Sequence, residues 1–149
     1  MLSCGSSTDK EKSEITSTPE NTVIENSINA DTYLMAAING SPWQANHNIE
    51  SYTMDNTIML GGENDAWVMG INIPDNVITG QTINTDASIA RKMKGSSNIL
   101  YNAEIAVIKI TSKTSTGLEG SFSFTGIHAN GKEKVIVENG KFKTQLKKM

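Results

Sequence analysis

The run Gly117-Leu118-Glu119-Gly120-Ser121-Phe122-Ser123-Phe124-Thr125 alternates apolar or small residues with polar ones at a period of two. Leu118, Gly120, Phe122 and Phe124 fall on one side; Glu119, Ser121 and Ser123 fall on the other. Successive side chains of an extended chain point to opposite faces, so the run reads as a β-strand with one buried face. Two of the three Phe residues sit in it, which makes it the anchor of the core. Strand-like runs flank it at residues 103–111 and 134–142. Together the three predict the centre of an antiparallel sheet.

The rest of the chain reads the same way. Residues 32–38 form a strand candidate, and Asn39-Gly40 is a strong hairpin signal. Residues 41–45 return with Trp43 and Ala45 on one face, and Pro42 implies that this strand lies at an edge or starts just after the proline. The polar residues 46–50 read as a loop, and 51–54 and 57–60 as short strands around Asp55-Asn56. Residues 61–65 form a Gly-rich turn. In residues 66–73 both faces are largely apolar, with Trp67, Met69 and Ile71 on one and Val68 and Gly70 on the other. That suits a central strand covered on both sides. Residues 77–83 read as extended with a kink at Gly80. Residues 85–95 admit a helix capped by Asp86 or a strand, and the β surroundings favour the strand. In residues 99–111, Ile105 and Val107 oppose Ala106, Ile108 and Ile110, as a bulged strand would place them. Residues 126–132 read as a loop, and Asn139-Gly140 as a small hairpin or a bulge that returns Phe142 to the core. The expectation is an all-β fold, an antiparallel β-sandwich or open β-barrel of about eight or nine strands spanning residues 32–149.

Residues 5–31 carry few apolar side chains and predict a disordered tether with a reach of roughly 30 Å. Before it, Leu2-Ser3-Cys4-Gly5-Ser6-Ser7 resembles the end of a bacterial lipoprotein signal peptide. In that family a Leu and a small residue precede a Cys that is acylated, which would make residues 1–4 the residual signal and Cys4 the lipidation site. The resemblance implies an apolar segment upstream in the full-length gene.

A second resemblance covers residues 33–142. The opening Asn39-Gly40-Ser41-Pro42-Trp43-Gln44-Ala45 and the close Gly120-Ser121-Phe122-Ser123-Phe124 with Asn139-Gly140-Lys141-Phe142 resemble a group of uncharacterised small bacterial lipoproteins. That resemblance implies a cell-envelope β domain, outer-membrane anchored, and transfers no catalytic residue.

The net charge of −3 provides no basic footprint for nucleic acid. The single cysteine allows no internal disulfide. His47 and His128 each fall in an expected polar loop, and neither has a second His or a Cys at zinc spacing. No nucleophile elbow or phosphate-binding loop is present, so neither cofactor nor metal is expected and an enzyme is disfavoured. Glu63 and Asp65 read as a solvated turn rather than a Ca²⁺ loop. Trp43 and Trp67 serve either as ligand platforms or as core, with core favoured for both and more firmly for Trp67. Met35, Met54, Met59 and Met69 read as core filler. Trp43, His47 and His128 are the ligand-binding candidates. The functional expectation is a lipid-anchored envelope protein that binds a small molecule or a protein partner. The alternatives are an envelope hydrolase and a structural or inhibitor subunit acting through a sheet edge.

Overall fold

The chain reverses tightly where its sequence tolerates a positive φ. Asn39 and Gly40 have φ of 50° and 84°, and Asp55 and Asn56 have φ of 53° and 64°. Two such residues in succession form the two-residue hairpin whose twist matches that of the strands it joins. In the computed structural model, which describes residues 32–148, these turns connect β1 (Tyr33–Ile38) to β2 (Ser41–Gln44) and β3 (His47–Met54) to β4 (Thr57–Glu63). β5 (Trp67–Pro74), β6 (Thr82–Arg91), β7 (Ile99–Lys113), β8 (Gly117–His128), β9 (Lys134–Gln145) and the two-residue β10 (Lys147–Lys148) follow.

All ten strands lie in one sheet, ordered β10-β3-β4-β5-β6-β7-β8-β9-β1-β2. β1 to β9 pair antiparallel, and β10 pairs parallel with β3. The sheet curls into a half-barrel rather than splitting into a sandwich. Its curl is visible in the chain path, because β9 runs through Leu146 into β10, and β10 lies beside β3 at the far edge. Two buried hydroxyls pin that seam: Ser51 Oγ donates to the Gln145 carbonyl at 2.7 Å, and Thr144 Oγ1 donates to Ser51 Oγ at 3.2 Å. Burial in a low-dielectric interior makes each of these bonds costly to break.

The inward positions fill the barrel. Leu34, Ile58, Ile73, Ile108, Ile110 and Phe142 are all at most 1% exposed. One end is closed by Val77, buried in the 75–81 connection. At the other end Tyr101 and Trp67 pack with ring centroids 6.3 Å apart. β8 behaves as its alternation requires, with Leu118, Gly120, Phe122 and Phe124 buried.

Of the bulges in the sheet, two shape the outer surface around Ser123 and Thr125. β7 carries an extra residue between Asn102 and Ala106, so Glu104 and Ile105 both face outward. β9 carries one between Val137 and Gly140, where Asn139 has φ of 55°, and Glu138 and Asn139 both face outward. A bulge puts two neighbours on one face, which simple alternation forbids.

Several expectations need correction. Residues 46–50 are not a loop: β3 starts at His47, and only Ile49 packs inward, so the segment looks polar in sequence. Residues 61–63 belong to β4 rather than to a turn. A Cβ on Gly62 would meet Ala45 and Leu34 at 3.0 Å, so glycine is there for close packing. β8 continues through Gly126 to His128, where a loop was expected. Residues 77–81 turn instead of extending, and β6 begins at Thr82. β5 is covered on one side only, since Val68 and Gly70 are partly exposed. Among the four methionines only Met69 is core; Met54 and Met59 are 44% and 43% exposed. Trp43 is the firmer core residue at 6% exposure, whereas Trp67 is half-buried. The expectations for Cys4 and the tether lie outside the described residues.

Candidate functional site

The three ligand-binding candidates do not converge. Trp43 sits in the core, paired across strands with Ala36, and its indole N–H has no acceptor among the described residues. His47 lies on the outer surface at the start of β3, with Nε2 3.5 Å from Glu63 Oε1. His128 ends β8 against the edge of Tyr101, 5.9 Å between centroids, and its Nδ1 accepts the Asn130 backbone N–H at 3.1 Å. They share no partner.

His128 belongs to a stack that seals one end of the barrel. The Arg91 guanidinium lies 5.1 Å over the Trp67 ring, Trp67 packs on Tyr101, and the Tyr101 hydroxyl reaches Glu133 at 3.4 Å. Arg over indole is a favourable cation–π pair that also shields apolar surface. The cluster therefore closes the core at this end.

Glu63 is the hub of a polar cluster on the outer face. Lys92 and Asn48 both donate to its carboxylate, and His47 lies beside it. The hydrogen bond from Lys92, then that from Asn48, holds the Glu63 carboxyl below its usual range. A depressed carboxyl contributes stability above its unfolded pKa and loses it as pH falls through the folded value. Glu63→Gln is thus expected to lower the melting temperature at pH 7. The gap from the parent should close as pH falls below about 4, the range in which an unfolded glutamate is protonated. A pH-independent gap in parallel thermal melts would contradict this account. Among the described residues no three His, Cys, Asp or Glu side chains gather to hold a metal ion.

The feature with the chemistry of a binding surface lies elsewhere, on the outer face of β7, β8 and β9. Ile105 is 64% exposed, Ile136 50%, and Val107 and Ile127 43% each. The strand register brings them together. Thr125 pairs with Ile136, Ser123 with Val107, and Ile127 with Asn102, while the bulge sets Ile105 between the last two levels. They wall an open depression of about 820 Å³ whose floor is Ser123 and Thr125 on β8, with Glu104 and Glu138 on its rim. Toward the other end of β8, Ser121 pairs with Lys109 on β7 and Lys141 on β9. Both lysines are exposed.

Sequence reasoning placed Ile105 and Val107 opposite Ala106, Ile108 and Ile110 but attached no function to them. The signal was an apolar residue on the polar side of a strand. Its meaning needed the register that sets Ile127 and Ile136 alongside. No protein-family model, curated protein or solved structure matches this chain.

Proposed function

We propose that this protein is a lipid-anchored envelope binding module that engages a protein partner through the outer face of β7, β8 and β9. The carrying observation is the cluster of four exposed aliphatic residues, Ile105, Val107, Ile127 and Ile136, on three adjacent strands. Water contact with clustered apolar surface is unfavourable, so a soluble face of this kind marks an interaction site. The filled interior supports an outer-surface site over a ligand held inside the barrel. The anchor rests on the sequence around Cys4 and on the polar composition of residues 5–31.

One experiment tests both halves. A photo-crosslinking residue replaces Ile136 in the full chain, expressed in its own envelope, and a second sample carries it at Tyr52 on β3. A discrete protein adduct is expected at position 136 and not at 52, and Cys4→Ala should move the protein from the membrane to the soluble fraction. Equal adducts at both positions, or none, would overturn the binding face. Unchanged membrane retention of the Cys4 variant would overturn the anchor.

A further inference from the structure

We infer that the segment recognised by this face is an extended polypeptide stretch carrying an aliphatic side chain and, four residues along, a carboxylate that seats between Lys109 and Lys141. This inference rests on the outer-face reading above and specifies the chemistry of its partner.

The backbone rules out recognition by strand addition at this face. β8 is hydrogen-bonded to β7 on one side and β9 on the other, so no N–H or C=O remains to pair with a visiting strand. Among the described residues, the sheet edge at β2 is four residues long and contains Pro42, which blunts it. Recognition at the outer face therefore runs through side chains.

Those side chains form a graded track along β8. At the level of Thr125, Ile105 and Ile136 stand on either side. At the level of Ser121 the flanking residues are Lys109 and Lys141. Strand spacing puts the two lysine backbones about 10 Å apart, with the Ser121 hydroxyl between them. Four residues of strand separate the aliphatic level from the cationic level, a distance of about 14 Å. An extended partner covers that distance in four residues. An α-helix rises only about 1.5 Å per residue and would need about nine residues to cover it, so the four-residue spacing is that of an extended partner.

The charges argue for a carboxylate. The ion pairs among the described residues, His47–Glu63 and Lys92–Glu63, involve neither Lys109 nor Lys141. The nearest acid in the register, Glu119, pairs across strands with Lys143 and acts on Tyr33, whose hydroxyl is pushed above its usual range by burial and by that carboxylate. Two lysines that flank a hydroxyl and pair with no acid among the described residues attract an anion. Glu104 and Glu138 on the rim of the aliphatic half weigh against a flat anionic lipid surface, which would meet them together with the isoleucines.

The test selects twelve-residue peptides from a random displayed library on the full chain, then measures the affinity of an enriched peptide. Enriched sequences are expected to carry Asp or Glu four positions from Leu, Ile or Val. The charge-reversed pair Lys109→Glu with Lys141→Glu should weaken binding at least tenfold, as should Ile105→Ser. Met59→Asp, on the outer face of β4, should leave it unchanged, with all variants giving the parent circular dichroism spectrum. Loss with Ile105→Ser but not with charge reversal would overturn the carboxylate and leave the outer-face reading standing. Loss with Met59→Asp alone would overturn both. Absence of the aliphatic–acid pattern from the selection would overturn the inference. So would lysine-dependent binding to phosphatidylglycerol vesicles in place of peptides.

Discussion

Gly120→Ala is expected to cost more than about 3 kcal/mol, beyond the usual range for an added methyl group in a packed core. The reason is a reciprocal pair of contacts between β8 and β9. Gly120 pairs with Phe142, and Phe122 pairs with Gly140. Each ring lies over the glycine of the other strand. A Cβ at Gly120 would fall 2.2 Å from the Lys109 carbonyl oxygen and 2.8 Å from Phe142 Cζ. The carbonyl belongs to the β7 ladder and cannot move without breaking pairing. A Cβ at Gly140 would fall 2.5 Å from the Phe122 ring, which is a side chain and can be replaced. Gly140→Ala should therefore also destabilise, but Phe122→Leu should recover part of that loss, a coupling measurable in a double-mutant cycle. Phe142→Leu should recover little of the Gly120→Ala loss. Urea titrations of the four single and two double variants give the midpoints. An unchanged midpoint for Gly120→Ala would mean that β7 and β8 are not in the register described.

Phe122→Ala should cost about 3–5 kcal/mol, the range for truncating a buried aromatic ring. Phe122 is 4% exposed and lies between Phe124, at 6.3 Å between centroids, and Phe142, at 6.2 Å. Its removal strips contacts from both neighbours and opens a cavity at the centre of the β8–β9 interface. A domain has about 5–15 kcal/mol in all, so this variant should approach unfolding at 37 °C. Ser123→Ala, one residue away on the outer face, should change stability by less than about 0.5 kcal/mol. The contrast is the sharper measurement, because a one-residue slip in register would exchange the two faces. A severe Ser123 variant beside a mild Phe122 variant, in the same titrations, would overturn the orientation of β8 and with it the outer-face site.

The features legible in the sequence are those with local causes. The faces of β8 follow from period-two alternation. The hairpin at Asn39-Gly40 and the bulge at Asn139-Gly140 follow from residues that tolerate positive φ. Of residues 85–95, those up to Arg91 proved to be strand, as their β surroundings implied, whereas 92–95 leave the sheet and turn. Two of the misreadings share one cause. Residues 46–50 and 61–63 look like loops because they are polar or glycine-rich, yet both pair within the sheet. Gly62 is small because Leu34, Ala45 and Ile49 converge on it, and those neighbours come from other strands.

The binding face illustrates the same division. That Ile105 stands opposite Ala106 and Ile108 is local, since side-chain direction alternates along one strand. That it joins Ile136, and that Lys109 and Lys141 flank Ser121, depends on pairing between separate strands. The seam that curls the sheet is more distant still, joining Ser51 to Gln145 across 94 residues. The sequence by itself determined most of the strands, the turns at positive-φ residues and the inward face of β8, because backbone geometry and side-chain period act over a few residues. Only the tertiary structure decided the strand order, the curl and the company each outward residue keeps, because those are set by which distant surfaces bury one another.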